Sequence, residues 1–267
     1  MRSVRQPFLD AMLTGAKAAG DVARRLQGKV PRERKRGPTD EAEALTAVDL
    51  AAQDLLLRLL ARDLPQVAVD AEEDTDTLGL LPHREEPDRP LVVLDPLDGT
   101  AAYADGSARY GVMAGLIEGG HFQAAVLHFP AWALTVWTDG ERVQREGALP
   151  PREADVLVTP WMPRPVRRAL RQAGFEVQGS RCSAVDGVAP VLGVADASVC
   201  DGCADRRRAI ALFVSHAAGY PVWLGKGLWR GQDPEGCRQA FGLVARDPVM
   251  LQSLRERVET TLNGAGR

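Results

Sequence analysis

Hydrophobic residues recur at helical spacing in two segments near the start of the chain. The first segment covers residues 7–27 and ends before Gly28, and the second covers residues 47–64 and ends before Pro65. A polar stretch at residues 29–40 separates them. We therefore predict two amphipathic helices. Their apolar faces consist of Phe8, Leu9, Met12, Leu13, Ala16, Ala19, Val22, Ala23 and Leu26 in the first helix, and of Leu50, Leu55, Leu56, Leu59 and Leu60 in the second.

Short runs rich in valine, alanine and aromatic residues follow these helices and predict β-strands. Two of the runs flank the sequence EGGH at residues 118–121, which is typical of a tight hairpin turn. The predicted strands cover residues 66–70, 91–95, 109–117, 122–129 and 133–138.

The rhythm of the chain changes after residues 147–153, GALPPRE. Strand patterns then alternate with helical ones, including a predicted helix near residues 209–218, whereas the strands before this point follow one another directly. We predict two domains: residues 1–150, α+β with a mostly antiparallel sheet, and residues 151–267, α/β. The fold class predicted for the whole chain is α/β.

The composition and the charge pattern argue against two classes of partner, membranes and nucleic acids. The 267 residues are 45% hydrophobic with a net charge of −3, and no stretch approaches the length of about 20 apolar residues that spans a membrane. The basic runs at residues 32–36 and 206–208 contain no aromatic residues to stack on bases. We therefore expect neither a membrane nor a nucleic-acid partner. Four cysteines confined to the second half favour a reducing, cytoplasmic location.

Acidic residues follow two of the predicted strands. Asp95 and Asp98 lie in DPLDGT at the end of a strand that Pro96 should stop, and Glu72 and Glu73 follow the strand before it. Carboxylates that converge from neighbouring strand ends are ligands for a hard cation such as Mg²⁺ or Mn²⁺. The N–H groups that follow Asp98 can bind an anion, so the pattern indicates phosphate chemistry. The alternative is that both segments are ordinary solvated turns.

EED at residues 72–74 and DPLDGT at residues 95–100 resemble the two signature motifs of the inositol monophosphatase-like family of magnesium-dependent, lithium-sensitive phosphatases. LTAVD at residues 45–49 and SAVDGVAPVLGVADA at residues 183–197 are similar to two further segments of that family. The resemblance implies a layered α-β-α-β-α fold of two domains with the active site between them. It also implies Mg²⁺ as the cofactor, and Mn²⁺ could replace it.

The resemblance assigns metal ligands to the first half of the chain. Glu72, Asp95 and the Leu97 carbonyl are implied as ligands of a first Mg²⁺. Asp95 is implied to bridge to a second ion, which Asp98 also binds. In the two-metal scheme, one ion generates the nucleophile and the other stabilises the leaving group.

The resemblance also assigns the groups that handle water and substrate. Thr100, hydrogen-bonded to Asp49, is implied to orient the attacking water, and the N–H groups of Gly99 and Thr100 are implied to bind phosphate. Ser183 begins the helix on the substrate side. For Asp49 a second interpretation remains open, because Thr46 and Asp49 also have the spacing of a helix capping box.

The second half departs from the family pattern at the last metal ligand. Members usually supply that ligand from a Trp-Asp pair, placed twelve residues before a glycine that corresponds to Gly219. An ungapped count reaches Arg207, preceded by Arg206, so Arg-Arg replaces Trp-Asp. Asp205 is a metal ligand if the preceding loop is shorter. Otherwise Arg207 contributes a fixed positive charge that binds substrate phosphate and disfavours a second cation.

Two further departures concern the substrate. Cys200 stands where the family usually has a glutamate that contacts the sugar, and Arg181 stands where it has a glycine. We therefore predict a phosphomonoesterase for a small phosphorylated metabolite: an inositol phosphate-like compound, a sugar phosphate, histidinol phosphate or a 3′-phosphonucleotide. The alternative is a weakly active or non-catalytic relative that binds a phosphometabolite at an incomplete metal site. A homodimer is a further expectation from the resemblance.

Overall fold

The computed structural model describes residues 3–30, 33–34, 44–45, 47–82, 89–201, 206–225, 227–233 and 241–265. The chain divides into two compact units, residues 1–148 and residues 149–267. Each unit has its own sheet and its own hydrophobic core.

In the first unit, the two long helices coincide with the predicted ones. They begin and end within two residues of the predicted limits, because Gly28 and Pro65 stop the helical pattern as expected. The helices are α1 (Arg5–Leu26), α2 (Ala47–Asp63) and the short α3 (Thr100–Ala104). The strands are β1 (Glu33–Arg34), β2 (Ala44–Leu45), β3 (Ala68–Asp70), β4 (Leu91–Asp98), β5 (Gly111–Glu118), β6 (His121–Phe129), β7 (Leu134–Thr138) and β8 (Val143–Glu146). Short 3-10 helices cover Asp76–Leu80 and Pro130–Trp132.

Strands β3 to β8 form one sheet in chain order. β3 and β4 run parallel, and each later neighbour runs antiparallel to the strand before it. Glu118 pairs with His121 across the turn between β5 and β6. Gly119 and Gly120 in that turn have φ angles of 58° and 75°, a left-handed conformation that glycine adopts without steric cost. The predicted hairpin is therefore confirmed.

Helices α1 and α2 pack on one face of this sheet. The apolar strand residues of the core are spaced two apart, so they point to the same face, and most of the helical ones belong to the predicted stripes. Val22 and Leu50 were predicted to be buried but are exposed, whereas Leu57 is fully buried, because the buried face of α2 is centred on Leu56, Leu57 and Leu60. Burying them removes apolar surface from water, which is the main force that holds helix to sheet. The core includes Phe8, Met12, Ala16, Leu56, Leu57 and Leu60 from the helices and Val92, Leu94, Val112, Ala114, Leu116, Ala124 and Val126 from the strands.

The second unit has a mixed sheet flanked by helices. Its strands are β9 (Val156–Val158), β10 (Val177–Gly179), β11 (Ala197–Cys200), β12 (Val222–Leu224), β13 (Gly227–Leu228) and β14 (Gly242–Ala245). Its helices are α4 (Arg164–Gln172), α5 (Ser183–Gly187), α6 (Ala189–Leu192), α7 (Arg206–Ala217) and α8 (Pro248–Ala265). The strand order is β10-β9-β11-β14-β12-β13. β9, β10 and β11 are parallel, whereas β14 is antiparallel to both of its neighbours.

Helix α7 begins about one turn earlier than its apolar pattern suggested. The predicted start was near Ala209, whereas the helix begins at Arg206. The first turn consists of Arg206, Arg207 and Arg208, whose charged heads hide the helical periodicity in the sequence. With helices around two mixed sheets, the chain has the α/β class that the sequence predicted.

Candidate functional site

The two aspartates of DPLDGT lie within β4, and this corrects the predicted end of the strand. Asp95 pairs with Met113 of β5, and Asp98 pairs with Gly111, with a shift of register between the two pairs. Pro96 has no N–H to donate, so we expected it to end the ladder. Instead the irregularity falls at Pro96 and Leu97, where the missing N–H costs no ladder bond, and pairing resumes beyond them.

Gly99 turns the chain from β4 into α3. Its φ of 83° and ψ of 29° lie in the left-handed region, which explains the glycine after Asp98. Helix α3 then begins at Thr100. The Leu97 N–H donates to Asp95 Oδ1 at 3.2 Å, so the first aspartate also holds the backbone of the turn.

Thr100 connects this turn with helix α2. Its hydroxyl oxygen lies 2.9 Å from Asp49 Oδ1 and 2.9 Å from the Leu97 carbonyl oxygen. A hydroxyl has one proton, and the ionised carboxylate is the stronger acceptor, so the proton points to Asp49. All three groups are buried. The structure therefore brings together the predicted pair of Asp49 and Thr100. The capping-box alternative for Asp49 involves Thr46, which lies outside the described residues.

Tyr103 anchors α3 to the end of α1. Its hydroxyl donates to the Ala23 carbonyl at 2.8 Å, and its ring meets that of Tyr110 edge to face with centroids 4.9 Å apart. Burial, together with the nearby Tyr110 and Asp49, raises the pKa of Tyr103 to about 12. The phenol therefore stays neutral and keeps its donor at any physiological pH.

The acidic loop after β3 is fixed by a residue that the sequence analysis missed. Gln53 is fully buried in α2, and its amide bonds both backbone groups of Glu73: Oε1 accepts from the N–H at 2.9 Å, and Nε2 donates to the carbonyl at 2.5 Å. Glu72 therefore precedes a residue whose backbone is held on both sides. A signal existed in the sequence, because Gln53 lies four residues after Asp49 and so on the same face of the helix.

The register of the sheet places this loop beside the DPLDGT segment. β3 and β4 are parallel, and Asp70 pairs with Val93. Glu72 lies two residues beyond that pair on one chain segment, and Asp95 lies two residues beyond it on the other. The carboxyl ends of parallel neighbours meet at the same edge, so both acidic segments leave the sheet together.

The donor set in the first unit has the chemistry of a magnesium site. Asp95 and Asp98 are buried carboxylates, Glu72 is half-buried, and the Leu97 carbonyl adds a neutral oxygen. Oxygen donors of this kind suit Mg²⁺ or Mn²⁺ rather than zinc. Within the described residues, however, no three His, Cys, Asp or Glu side chains are grouped closely enough to hold a metal ion. The residues fit the cation by donor type and by strand register.

The predicted residues of the second unit lie at two helix starts. Ser183 begins α5, and Arg207 lies in the first turn of α7. Asp205, the predicted metal ligand, lies outside the described residues. The arginines on either side of Arg207 are firmly held within this unit, as their contacts show.

Arg206 and Arg208 have different partners. Arg206 Nε donates to both carboxylate oxygens of Asp233 at 2.9 Å, and its Nη2 lies 2.8 Å from Oδ2. The Arg208 guanidinium carbon lies 4.7 Å from the centre of the Trp161 ring, and Nη1 donates to the Asp201 carbonyl at 2.7 Å. These contacts fix the start of α7 on both sides of Arg207.

Comparison with known proteins identifies the family. The sequence profile described as the inositol monophosphatase family matches residues 5–181, about two thirds of the chain. The chain belongs to the inositol monophosphatase family. The predicted resemblance is thereby confirmed. The match covers the acidic loop and DPLDGT but ends before Ser183, Asp205 and Arg207.

Individual relatives agree with this assignment. Inositol monophosphatase 3 of Solanum lycopersicum is 33% identical over 104 residues, which are 39% of this chain and 36% of that protein. The matched segment thus spans about a third of the relative's length. Among solved structures, an IMPase of Thermotoga maritima superposes with a TM-score of 0.75 at 17% identity, covering 96% of this chain and 98% of that chain. An IMPase/NADP phosphatase complexed with Mg²⁺ and phosphate gives 0.73 at 16% identity, covering 95% of both chains.

These superpositions show the fold. The chain has the inositol monophosphatase fold, which confirms the predicted fold class. Of the helices in the described ranges, none has the length and apolar character needed to cross a membrane.

Proposed function

We propose that this chain is a Mg²⁺-dependent phosphomonoesterase that hydrolyses a small phosphorylated metabolite. The observation that carries the proposal is the buried hydrogen bond from the Thr100 hydroxyl to Asp49, placed next to Asp95 and Asp98. A buried threonine whose proton points to a carboxylate presents its oxygen as an acceptor. Such a group can receive a proton from a water molecule, which is what hydrolysis of a phosphate ester requires.

In this proposal the oxygen donors of the first unit hold the metal. Glu72, Asp95 and the Leu97 carbonyl would hold one ion, and Asp95 and Asp98 would hold a second. Because the Thr100 proton points to Asp49, the lone pairs of the Leu97 carbonyl oxygen remain available to a cation. Bound Mg²⁺ would make water more acidic and neutralise charge on the phosphate. Mn²⁺ is proposed as a substitute because it prefers the same oxygen donors.

Residues of this chain would orient the water, accept its proton and bind the phosphate. Asp49 fixes the Thr100 hydroxyl, and Thr100 orients the water and passes its proton toward Asp49. The first N–H groups of a helix have no partner within the helix, so those of Gly99 and Thr100 would bind phosphate oxygens. Ser183 and Arg207 are proposed substrate contacts in the second unit. The proposed homodimer and cytoplasmic location follow from the family and the composition.

The chemical class of the substrate is a small phosphate monoester. Arg181 and Cys200 replace the glycine and glutamate of the family pattern, so a compound other than inositol phosphate fits the same reaction. Sugar phosphates, histidinol phosphate and 3′-phosphonucleotides all carry the monoester that the site would use. A screen of phosphometabolites with and without Mg²⁺ would identify which of them is cleaved.

A second candidate function rests on the start of α7. Arg207 stands where the family has a metal-binding aspartate, and a guanidinium in that position would repel a second cation. With one ion the leaving alkoxide lacks its counter-charge. The chain would then bind a phosphometabolite and hydrolyse it slowly or not at all.

Asp95→Asn tests the proposed reaction. Both ions would lose a shared negative ligand, so the rate should fall by roughly three orders of magnitude or more while the fold is retained. Phosphate release in a Mg²⁺-supplemented assay measures the rate, and circular dichroism checks the fold. Asp76→Asn is the matched control, because it removes the same charge from an exposed position near the acidic loop. Wild-type activity that persists in excess chelator would contradict the proposal.

A further inference from the structure

We infer that Gln53 is a positioning residue that fixes the Glu72 side of the proposed metal site, and that α2 thereby links this side to Thr100. The inference rests on the function proposed above for the same site. Asp49 and Gln53 lie four residues apart on one buried face of α2. Asp49 accepts from the Thr100 hydroxyl, whereas Gln53 holds the loop that follows β3.

The contact of Gln53 with the loop uses both ends of its amide. The carbonyl oxygen accepts from the Glu73 N–H, and the amide nitrogen donates to the Glu73 carbonyl and lies 3.1 Å from Thr75 Oγ1. Paired bonds to one residue fix the direction of its peptide units as well as its position. The side chain of Glu72, one residue earlier, starts from a backbone that cannot rotate freely.

A second layer of contacts holds the loop further along. Thr75 Oγ1 lies 2.8 Å from Thr77 Oγ1, and Thr77 donates to the carboxylate of Asp54, the residue after Gln53. Two consecutive residues of α2 therefore hold the loop at both of its ends. This arrangement is a side-chain network in which each buried polar group has a partner, which makes it rigid.

The helix gives this link its precision. Residues four apart on an α-helix are separated by about 6 Å along the axis and are held by the backbone hydrogen bonds of one turn. The distance between the group that holds Thr100 and the group that holds Glu73 is therefore set by a rigid element. A metal site built from both strand ends needs such a fixed distance, because metal affinity depends on how well the supporting groups orient the ligands.

Glutamine meets this need, and most similar residues do not. A leucine or methionine would fill the volume but leave the Glu73 N–H and carbonyl without their partner. An ionised glutamate would lose the donor and place a negative charge against the Glu73 carbonyl. A protonated glutamate, in contrast, has one donor and one acceptor in the same positions, so it would reproduce both bonds.

The protonation of a glutamate at this position supplies the test. In Gln53→Glu, Mn²⁺ affinity should be close to that of the wild type at low pH, where the carboxyl group is protonated. As the pH rises, the affinity should fall about tenfold or more relative to the wild type. The buried carboxyl group has a raised pKa, and above that pKa it ionises and can no longer donate to the Glu73 carbonyl. In Gln53→Leu the loss should be similar in size and should not depend on pH. Titration calorimetry with Mn²⁺, with each variant compared with the wild type at the same pH, measures these ratios.

Hydrogen exchange separates this inference from the proposed function. In metal-free protein the amide of Glu73 should exchange at least about tenfold faster in Gln53→Leu than in the wild type, because it loses its acceptor. Gln172→Glu, an exposed change on α4, should affect neither measurement. If the wild type does not bind Mn²⁺, the proposed function fails, and the exchange rates still decide the role of Gln53. Unchanged exchange in Gln53→Leu, or a Mn²⁺ affinity of Gln53→Glu that has no extra pH dependence, would overturn the inference.

Discussion

His128 of β6 is a buried histidine that lies away from the proposed reaction. Its Nδ1 lies 2.9 Å from Thr135 Oγ1, and its ring packs against Gly20 of α1. Burial, together with the positive charge of Lys17, lowers the pKa of His128 from 6.5 to about 4, against smaller opposing effects of Asp21, Glu146 and a backbone hydrogen bond at Leu134. The imidazole is therefore neutral in the folded protein at neutral pH and contributes to packing.

The depressed pKa of His128 predicts a loss of stability in mild acid. Between pH 6.5 and pH 4 the unfolded chain binds a proton that the folded chain does not, so the unfolding free energy falls as the pH falls. Near pH 5 the loss from this residue should be about 2 kcal/mol relative to pH 7. Urea unfolding of the wild type and of His128→Gln measures it, and the variant should lose less. His121→Gln, at an exposed histidine, is the control, and equal acid sensitivity in all three proteins would contradict the assignment.

At the residue scale, the sequence predicted the groups with a distinct chemical pattern. Asp49 and Thr100 were predicted as a pair, and they are hydrogen-bonded. No hydrogen-bond partner was predicted for Gln53 or for His128. The reason is that a buried glutamine or histidine depends on contacts with residues distant in sequence. The helical spacing from Asp49 marks the face on which Gln53 lies, but Glu73 is twenty residues away, so this spacing does not reveal the partner.

At the element scale, helix α1 approaches its neighbours closely at two glycines, with Gly20 facing β6 and Gly15 facing α2. A Cβ atom on Gly20 would overlap the ring of His128 and lie 2.8 Å from Pro130 Cγ. A Cβ atom on Gly15 would meet Leu56 Cδ2 and Leu59 Cδ1 at 2.9 Å each, which are the ends of flexible side chains. An added Cβ atom at Gly20 therefore meets rigid rings, whereas one at Gly15 meets flexible side chains that can move.

This difference predicts different costs for the same substitution. Gly20→Ala should destabilise the protein by roughly 2 kcal/mol, because the ring and the proline cannot yield, and the overlap outweighs the gain in helix propensity of about 1 kcal/mol. Gly15→Ala should change the stability less, because the two leucine tips can rotate. Chemical unfolding of both variants measures the difference. The explanation fails if Gly15→Ala is the more destabilised of the two.

Elements with a clear period were predicted well from the sequence, and their irregular ends were not. α1, α2 and the β5–β6 hairpin show their period or turn residues directly. The end of β4 was placed too early, because Pro96 was expected to stop a ladder that in fact resumes after it. The start of α7 was placed too late, because the periodic signal comes from apolar residues and this turn is all arginine.

At the scale of the whole molecule, each of the two units has a separate core. Phe8, Leu56 and Val126 belong to the core of the first unit, and Val158, Leu243 and Leu254 belong to that of the second. The family match covers all of the first unit after Arg5 but only the first part of the second. The choice between the two candidate functions therefore depends on the part of the second unit that lies beyond this match.

The number of bound metal ions decides between the two candidate functions. If Asp205 is a ligand, titration with Mg²⁺ or Mn²⁺ in the presence of phosphate should show two ions in the wild type and one in Asp205→Ala, with most of the turnover lost. Arg207→Ala should then have a smaller effect, through the substrate phosphate. One ion in the wild type, unchanged in Asp205→Ala, would favour the binding protein. In that case Arg207→Asp should raise the metal stoichiometry and the activity together, because it replaces a repelling charge with a ligand.

The shift of register in β4 has a consequence for the spacing of the two aspartates. In a regular strand, residues three apart point to opposite faces of the sheet. From Asp95 to Asp98 the chain advances three residues, whereas β5 advances two, from Met113 to Gly111, so β4 contains one extra residue. Although Asp95 and Asp98 are three residues apart, the extra residue places them opposite two residues of β5 that share a face, so both carboxylates can point to the same side of the sheet. A substitution of Pro96 or Leu97 preserves this arrangement, but inserting one residue between Gly111 and Met113 of β5 would match the two strands residue for residue and send the aspartates to opposite faces.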